Sequence, residues 1–300
     1  NKATGGITHL LPVRPDWTDS SDVLGYSDIQ GRFRPASFLN WAREAESQPD
    51  MHHVCIMDEM NLARVEHYFA EVLSQIENRS PSLNGGYISG YLLNQCLSND
   101  DEAWSKQSMP ANMAIVGTVN MDESTYGFSR KVLDRAFTIE LSEIDLQRWV
   151  LEKEGSFEAA SWPIEAWYPR AIRISELDSL TEKEREMIKN VIKVLVEVNN
   201  ILKPAQLQLA FRSRDEIVLF ILHAQEIRTS FVTRDGEMVD PLDLAILMKV
   251  LPRIIGGSST IRQILIEFIS WANQGETPSD SNAEDFVERW ISGNRPSFIS

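Results

Sequence analysis

Val54-Cys55-Ile56-Met57-Asp58-Glu59-Met60-Asn61 is the stretch on which the reading of this chain turns. A short apolar run that ends in two acids suits a buried parallel strand delivering carboxylates to its C-terminal edge. Some sixty residues on, Ile115-Val116-Gly117-Thr118-Val119-Asn120 repeats the pattern with an amide at its end. Two such strands side by side would place Asp58, Glu59 and Asn120 at one sheet edge, where open α/β sheets bind ligands. Adjacent acids with a nearby amide suit nucleotide hydrolysis. One acid holds Mg²⁺, the other works on the attacking water, and the amide orients that water. The plainer alternative is an acidic turn or helix start, which also follows many apolar strands.

Composition narrows the classes. The 300 residues are 43% hydrophobic and 24% charged, ordinary for a globular protein and long enough for two lobes. A net charge of −15 argues against a free-standing polyanion-binding surface, whose footprint is usually basic. No apolar run approaches a membrane span, and no charged-then-apolar leader opens the chain. Cys55 and Cys96 make no metal or redox spacing. Reduced thiols in a cytoplasmic protein with no membrane contact are expected. The chain starts at Asn1 without an initiator Met, which suggests a piece of something longer.

Around the deciding stretch, residues 9–14 read as a short strand, and Gly25-Tyr26 with Gly31-Arg32-Phe33 as a small hairpin or an exposed loop. Ser37 is expected to cap a helix to about residue 47. Phe69, Val72, Leu73 and Ile76 recur at helical spacing. Asn84-Gly85-Gly86 marks a turn between edge strands in a surface insertion over 78–112. A strand at 113–120, a polar link, a short helix at about 129–135 and a strand at 136–141 complete an α/β lobe, 1–141.

From 142 to 300 the signals are helical. Ser142-Glu143-Ile144-Asp145 opens one helix, and helices are expected over 259–273 and 283–291. Thr181-Glu182-Lys183-Glu184 and Ser213-Arg214-Asp215-Glu216 read as capping boxes. Asp240-Pro241 reads as an N-cap followed by Pro at the first helical position. Trp149, Trp162, Trp167, Trp271 and Trp290 are expected to pack this lobe. His52-His53 lacks a third ligand and reads as a surface pair. Asp19, Asp22 and Asp28 are spaced wrongly for a Ca²⁺ loop, and no nucleophile elbow is present.

Several segments together resemble AAA+ ATPases of the McrB/MoxR-like (dynein-related) group. Asp58-Glu59-Met60-Asn61-Leu62-Ala63-Arg64-Val65-Glu66 is similar to that group's Walker B segment. Gly117-Thr118-Val119-Asn120-Met121-Asp122-Glu123 is similar to its sensor 1. Phe128-Ser129-Arg130-Lys131-Val132-Leu133-Asp134-Arg135-Ala136-Phe137 is similar to its arginine-finger segment. Arg14-Pro15-Asp16-Trp17-Thr18-Asp19 and Leu24-Gly25-Tyr26 resemble the strand and loop after its first helix. The resemblance covers about 1–141; beyond that it rests on helical character and Phe211-Arg212-Ser213-Arg214.

The resemblance implies a P-loop NTPase-type parallel sheet with flanking helices, followed by an all-helical lid. It implies that Asp58 holds Mg²⁺, Glu59 polarises water, Asn120 is sensor 1, Arg135 is the finger and Arg212 is sensor 2. Arg130 and Arg214 are the respective alternatives. Arg135 as a solvated helix-end cation and Arg212 as a surface residue are the plain readings. The implied function is hydrolysis of ATP or GTP in a homo-oligomeric ring that drives a partner, such as a nuclease subunit in DNA restriction or antiviral defence. DNA would be met only indirectly or through pore loops such as 26–34 and 84–92, which otherwise read as solvated hairpins.

One departure is large. No Gly-x-x-x-x-Gly-Lys-Ser/Thr loop exists in the sequence, so the usual phosphate cradle is missing. In the group resembled, that loop precedes the point where this chain begins, so truncation is one account. A degenerate, non-catalytic regulatory or scaffold subunit is the other. A metal-dependent nuclease built on Asp58-Glu59 has the least support, since no further acids sit at a matching strand end.

Overall fold

The computed structural model describes residues 5–93, 101–120, 125–141, 163–233 and 236–273. The described residues separate into two compact units. One contains those up to 132 together with 163–170, the other 133–141 and 171–273. The expected helix from Ser142, the helix at 283–291, Cys96, Met121, Asp122, Glu123, Trp149, Trp162 and Trp290 lie outside the described residues.

The first unit is built on β1 (Ile7–Pro12), followed by α1 (Ser21–Leu24) and a hairpin of β2 (Gly25–Ser27) and β3 (Phe33–Pro35). Then come α2 (Ser37–Ser47), β4 (His53–Asp58), α3 (Val65–Tyr68) and α4 (Ala70–Gln75). A second hairpin, β5 (Ser80–Pro81) with β6 (Tyr87–Ile88), turns through Asn84-Gly85-Gly86. Both glycines there have positive φ, 89° and 65°, a backbone that an L side chain rarely adopts. The unit continues with α5 (Glu102–Ser105) and β7 (Met113–Gly117), and α6 (Arg130–Leu133) leads out of it.

Strands β1, β4 and β7 form a parallel sheet in that order. Ile7 lies opposite His53 and Pro12 opposite Asp58; His53 lies opposite Met113 and Met57 opposite Gly117. Period-two alternation then gives the sheet two unlike faces. Leu11, Val13, Cys55, Met57 and Met113 face the core with Phe38, Leu39, Phe69, Val72 and Leu73 from the helices. Leu10, Ile56 and Val116 share the other face in register, and Leu10 and Val116 are 56% and 47% exposed. Parallel sheets are normally covered on both faces, and the described residues pack a core on only one face of this one.

Several local expectations change. Ser37 is the first residue of α2, and Ala36 occupies the cap without a side-chain hydrogen bond. The periodic stretch after Arg64 is split at Phe69 into α3 and α4. Residues 136–141 form no strand. A strand needs a neighbour's backbone ladder, and this segment spends its Thr138 N–H on the Met248 carbonyl at 3.0 Å instead.

The second unit contains α7 (Glu182–Leu202), α8 (Phe211–Ala224), α9 (Pro241–Lys249) and α10 (Ser259–Ala272). Thr181 and Glu184 cap α7 reciprocally. Asp240 accepts from Leu242 N–H at 2.9 Å, with Pro241 at the first helical position. Ile188, Val191, Leu195, Val198 and Leu202 form the buried stripe of α7, against Ile217, Ile221, Ile264 and Phe268. The second expected box is not a cap. The helix α8 begins at Phe211, so Ser213 lies inside it, and its hydroxyl accepts from Arg253. Trp271 does pack this unit, edge-on to Phe268. Trp167 belongs to the first unit, stacked on His52 at 4.4 Å between centroids.

Candidate functional site

The end of β4 and the segment after β7 are laced together at the C-terminal edge of the sheet. The ladder continues past the strands, with Thr118 N–H on the Met57 carbonyl at 3.0 Å and Met60 N–H on the Thr118 carbonyl at 2.8 Å. Between these bonds the Thr118 hydroxyl does double duty. It donates to Asp58 Oδ1 at 2.7 Å and accepts from Glu59 N–H at 2.9 Å. Asn61 then donates its side-chain amide to the Asn120 carbonyl at 2.9 Å. Gly117 permits the close approach, since a Cβ there would collide with the Met60 side chain.

Glu59 sits in the left-handed region, with φ 51° and ψ 48°. That conformation costs an L-residue on the order of 1–2 kcal/mol, and such strain clusters at functional sites. The turn that follows is fixed from below. Tyr68, fully buried, donates its hydroxyl to the Met60 carbonyl at 2.9 Å and packs edge-on to Trp17. From above, Tyr126 N–H reaches the Asn61 carbonyl at 3.0 Å and the Thr125 hydroxyl the Asn120 carbonyl at 2.8 Å. The Arg64 guanidinium lies over the Tyr126 ring at 5.0 Å. Glu66 accepts from Ser129 N–H at 3.0 Å, tying the start of α6 to the same turn.

Asp58 is half-buried, whereas Glu59 and Asn120 are exposed. The edge therefore offers two carboxylates and one amide to solvent on a backbone that hydrogen bonds have already set. Thr118, Asn61 and Glu66 do this setting. The sequence reading quoted them inside motifs without giving them a task, because neither charge nor periodicity marks a hydroxyl that bridges two strands.

The remaining predicted residues lie elsewhere. Arg130 is exposed on α6. Arg135 is half-buried and belongs, with 133–141, to the helical unit. Arg212 is exposed in the first turn of α8. Arg214 is paired with Asp215, at 2.6 Å, and lies over the Phe211 ring.

His52 and His53 are not the expected surface pair. Both are buried, at 2% and 0% exposure: His53 opens the central strand beside β1, and His52 just before it stacks on Trp167. His53 Nδ1 lies 3.1 Å from His9 Nε2, and His9 stacks on Trp41. Burial pushes His9 and His53 below the usual imidazole range; the neighbouring His9 lowers His53 further, while Glu44 pulls both partly back. Burial also pushes the Cys55 thiol up to about 12, so it is inert at neutral pH.

Two comparisons bear on this chain. Residues 164–291 match a domain of unknown function (DUF8727). Over 145 residues the chain is 26% identical to the "Type IV methyl-directed restriction enzyme EcoKMcrB subunit" of Escherichia coli (strain K12). That match covers 45% of this chain and 29% of the relative, so the chain spans well under two thirds of the relative's length. The sequence is thus distantly similar to an McrB subunit, and its three-stranded parallel sheet with flanking helices and helical C-terminal region is compatible with a P-loop-like α/β fold. No helix among the described residues is long and apolar enough to cross a membrane.

Proposed function

We propose that this chain carries the hydrolytic edge of an AAA+ nucleoside triphosphatase of McrB-like type. The observation that carries the proposal is the Thr118 clasp, which holds Asp58 and the Glu59 backbone at the C-terminal edge of adjacent parallel strands. The residues fit Mg²⁺ held through its water shell. One Asp58 oxygen takes the Thr118 hydroxyl, and the carboxylate is half-open to solvent. The ion, when bound, supplies charge neutralisation at the transferring phosphate. Glu59 then polarises the attacking water, and the Asn120 amide orients it. Arg135 supplies a cation to the neighbouring subunit's ATP or GTP, and Arg212 touches nucleotide from the helical unit. Arg214, the alternative, is ion-paired with Asp215.

The phosphate cradle is not encoded in these residues. The outer edge of β7 has no partner strand among the described residues. The path β1–β4–β7 runs in one direction with α2, α3 and α4 on a single face. The cognate assembly would be a homo-oligomeric ring acting on a nuclease partner. The second reading, a non-catalytic AAA+-like subunit, draws on the missing cradle alone.

Glu59→Gln in the full-length protein separates the two. Under the catalytic reading, nucleotide binding persists while steady-state hydrolysis is lost, read by phosphate release and by nucleotide titration. Turnover equal to wild type would remove Glu59 from the chemistry, and no turnover by wild type with ATP or GTP would favour the non-catalytic subunit.

A further inference from the structure

The backbone on either side of Arg135 is held by a set of buried ions in the helical unit that the hydrolytic reading does not use. Lys249, at the end of α9, is completely buried. Its Nζ donates to the main-chain carbonyls of Asp134 and Ala136, each at 3.0 Å. It is neutralised by an ion pair with Glu216 and lies 4.8 Å from the centre of the Phe137 ring. Arg253, almost as deep, pairs with the Asp134 carboxylate and donates to the Ser213 hydroxyl at 2.6 Å. Thr138 N–H is held by the Met248 carbonyl, and Phe137 packs on Phe220 with centroids 5.4 Å apart.

This arrangement is unusual in its target. Burying an ammonium costs several kcal/mol, and well-packed apolar side chains often serve stability as well as a buried ion pair does. An apolar side chain cannot grip main-chain carbonyls. Lys249 grips the carbonyls on both sides of residue 135 and therefore fixes the path of the backbone from which the Arg135 side chain springs.

We propose that Lys249 and Arg253 are positioning residues for Arg135, clamping the strap 134–138 to the helical unit so that the cation offered to a neighbouring subunit is set in place beforehand. A guanidinium that stabilises a transition state acts through preorganisation, so a loose strap loses rate without losing nucleotide affinity in its own site. The inference rests on the hydrolytic reading, in which Arg135 acts in trans.

The test uses the full-length protein. Lys249→Met is expected to lower kcat roughly tenfold or more with KM unchanged, the pattern of an interaction made only in the transition state. Mixing it with Glu59→Gln subunits is expected to restore turnover. The Glu59→Gln subunit lends its intact Arg135 to the Lys249→Met subunit, whose own acids are unchanged. Arg135→Ala, mixed in the same way, serves as the positive control. Arg253→Lys keeps the charge but not the forked geometry and is expected to act in the same direction; it takes the place of Lys249→Met if that variant does not fold. Wild-type turnover with Lys249→Met and Arg253→Lys unimpaired overturns the clamp alone. So does a joint change in kcat and KM that Glu59→Gln cannot rescue. A wild type without turnover overturns the hydrolytic reading and the clamp with it.

Discussion

At the sheet edge, a neutral hydroxyl holds the Asp58 carboxylate and the Glu59 backbone N–H, and both acidic side chains remain at least half open to water. In the helical unit, Lys249 and Arg253 are withdrawn from water and spend their donors on Glu216, Asp134, Ser213 and main-chain carbonyls. The first arrangement keeps charge available for something that arrives. The second consumes charge to fix a stretch of backbone. A formal charge in a motif is thus a poor guide to chemistry until its neighbours are known.

The sharpest way to break this contrast is to uncouple one member of the buried set. Asp134→Ala removes the carboxylate that pairs with the buried Arg253. Breaking a buried pair from one side costs about 3–5 kcal/mol. Asp134 is itself 36% exposed, so the loss should fall near the lower end, about 3 kcal/mol. Urea unfolding followed by helical circular dichroism measures it. A loss within error of zero would mean that the cluster is solvated and that the two units treat charge alike.

A smaller effect is expected from acid, and it comes from a buried histidine pair in the sheet unit. His9 and His53 share a hydrogen bond that one imidazole must donate and the other accept. Both are held below the usual value of 6.5, chiefly by burial, with Glu44 as the opposing carboxylate. The unfolded chain then binds protons that the folded one does not, so stability rises with pH in that range. The contribution is present above the unfolded-state imidazole value, about 6.5, and is lost as pH falls below it. Melting temperature should therefore be flat from pH 8 to 7 and decline below, and His53→Gln should flatten the decline. Parallel profiles for the two proteins would show that the pair titrates as it does in the unfolded chain.

The strand ending in Asp58 and the one at 113–117 that precedes Asn120 were legible because a run such as Val54–Met57 has an apolar pattern that needs no distant partner to be recognised, although the second strand stops at Gly117, short of Asn120. The Thr181 and Asp240 caps were legible for the same reason, since a cap is a local hydrogen bond. What escaped depended on distant neighbours. Residues 136–141 have strand-forming side chains but no ladder to join, and Lys249 fixes them elsewhere. Ser213 satisfies the capping-box spacing, yet the helix starts two residues earlier and gives its hydroxyl to Arg253. His52 and His53 look polar in sequence and are buried because β1 and Trp167 cover them. The chemistry of two acids beside an amide was legible from Asp58, Glu59 and Asn120 themselves, whereas roles for Arg135 and Arg212 came from resemblance.

The smallest expected effect falls on the clasp itself. Thr118→Val keeps the β-branched shape that suits the segment but removes the hydroxyl that Asp58 and Glu59 share. Water can reach all three groups, since Thr118 and Glu59 are exposed and Asp58 is half-exposed. The net cost should therefore be that of an ordinary hydrogen bond, about 1 kcal/mol, rather than that of an orphaned buried group. Thr118→Ser restores the hydroxyl and should return stability to within error of wild type. The decisive reading is the difference between these variants. If Val is as stable as Ser, the hydroxyl does not hold the strained Glu59 turn, and the sheet edge loses the feature that distinguishes it from an acidic turn on a solvated surface.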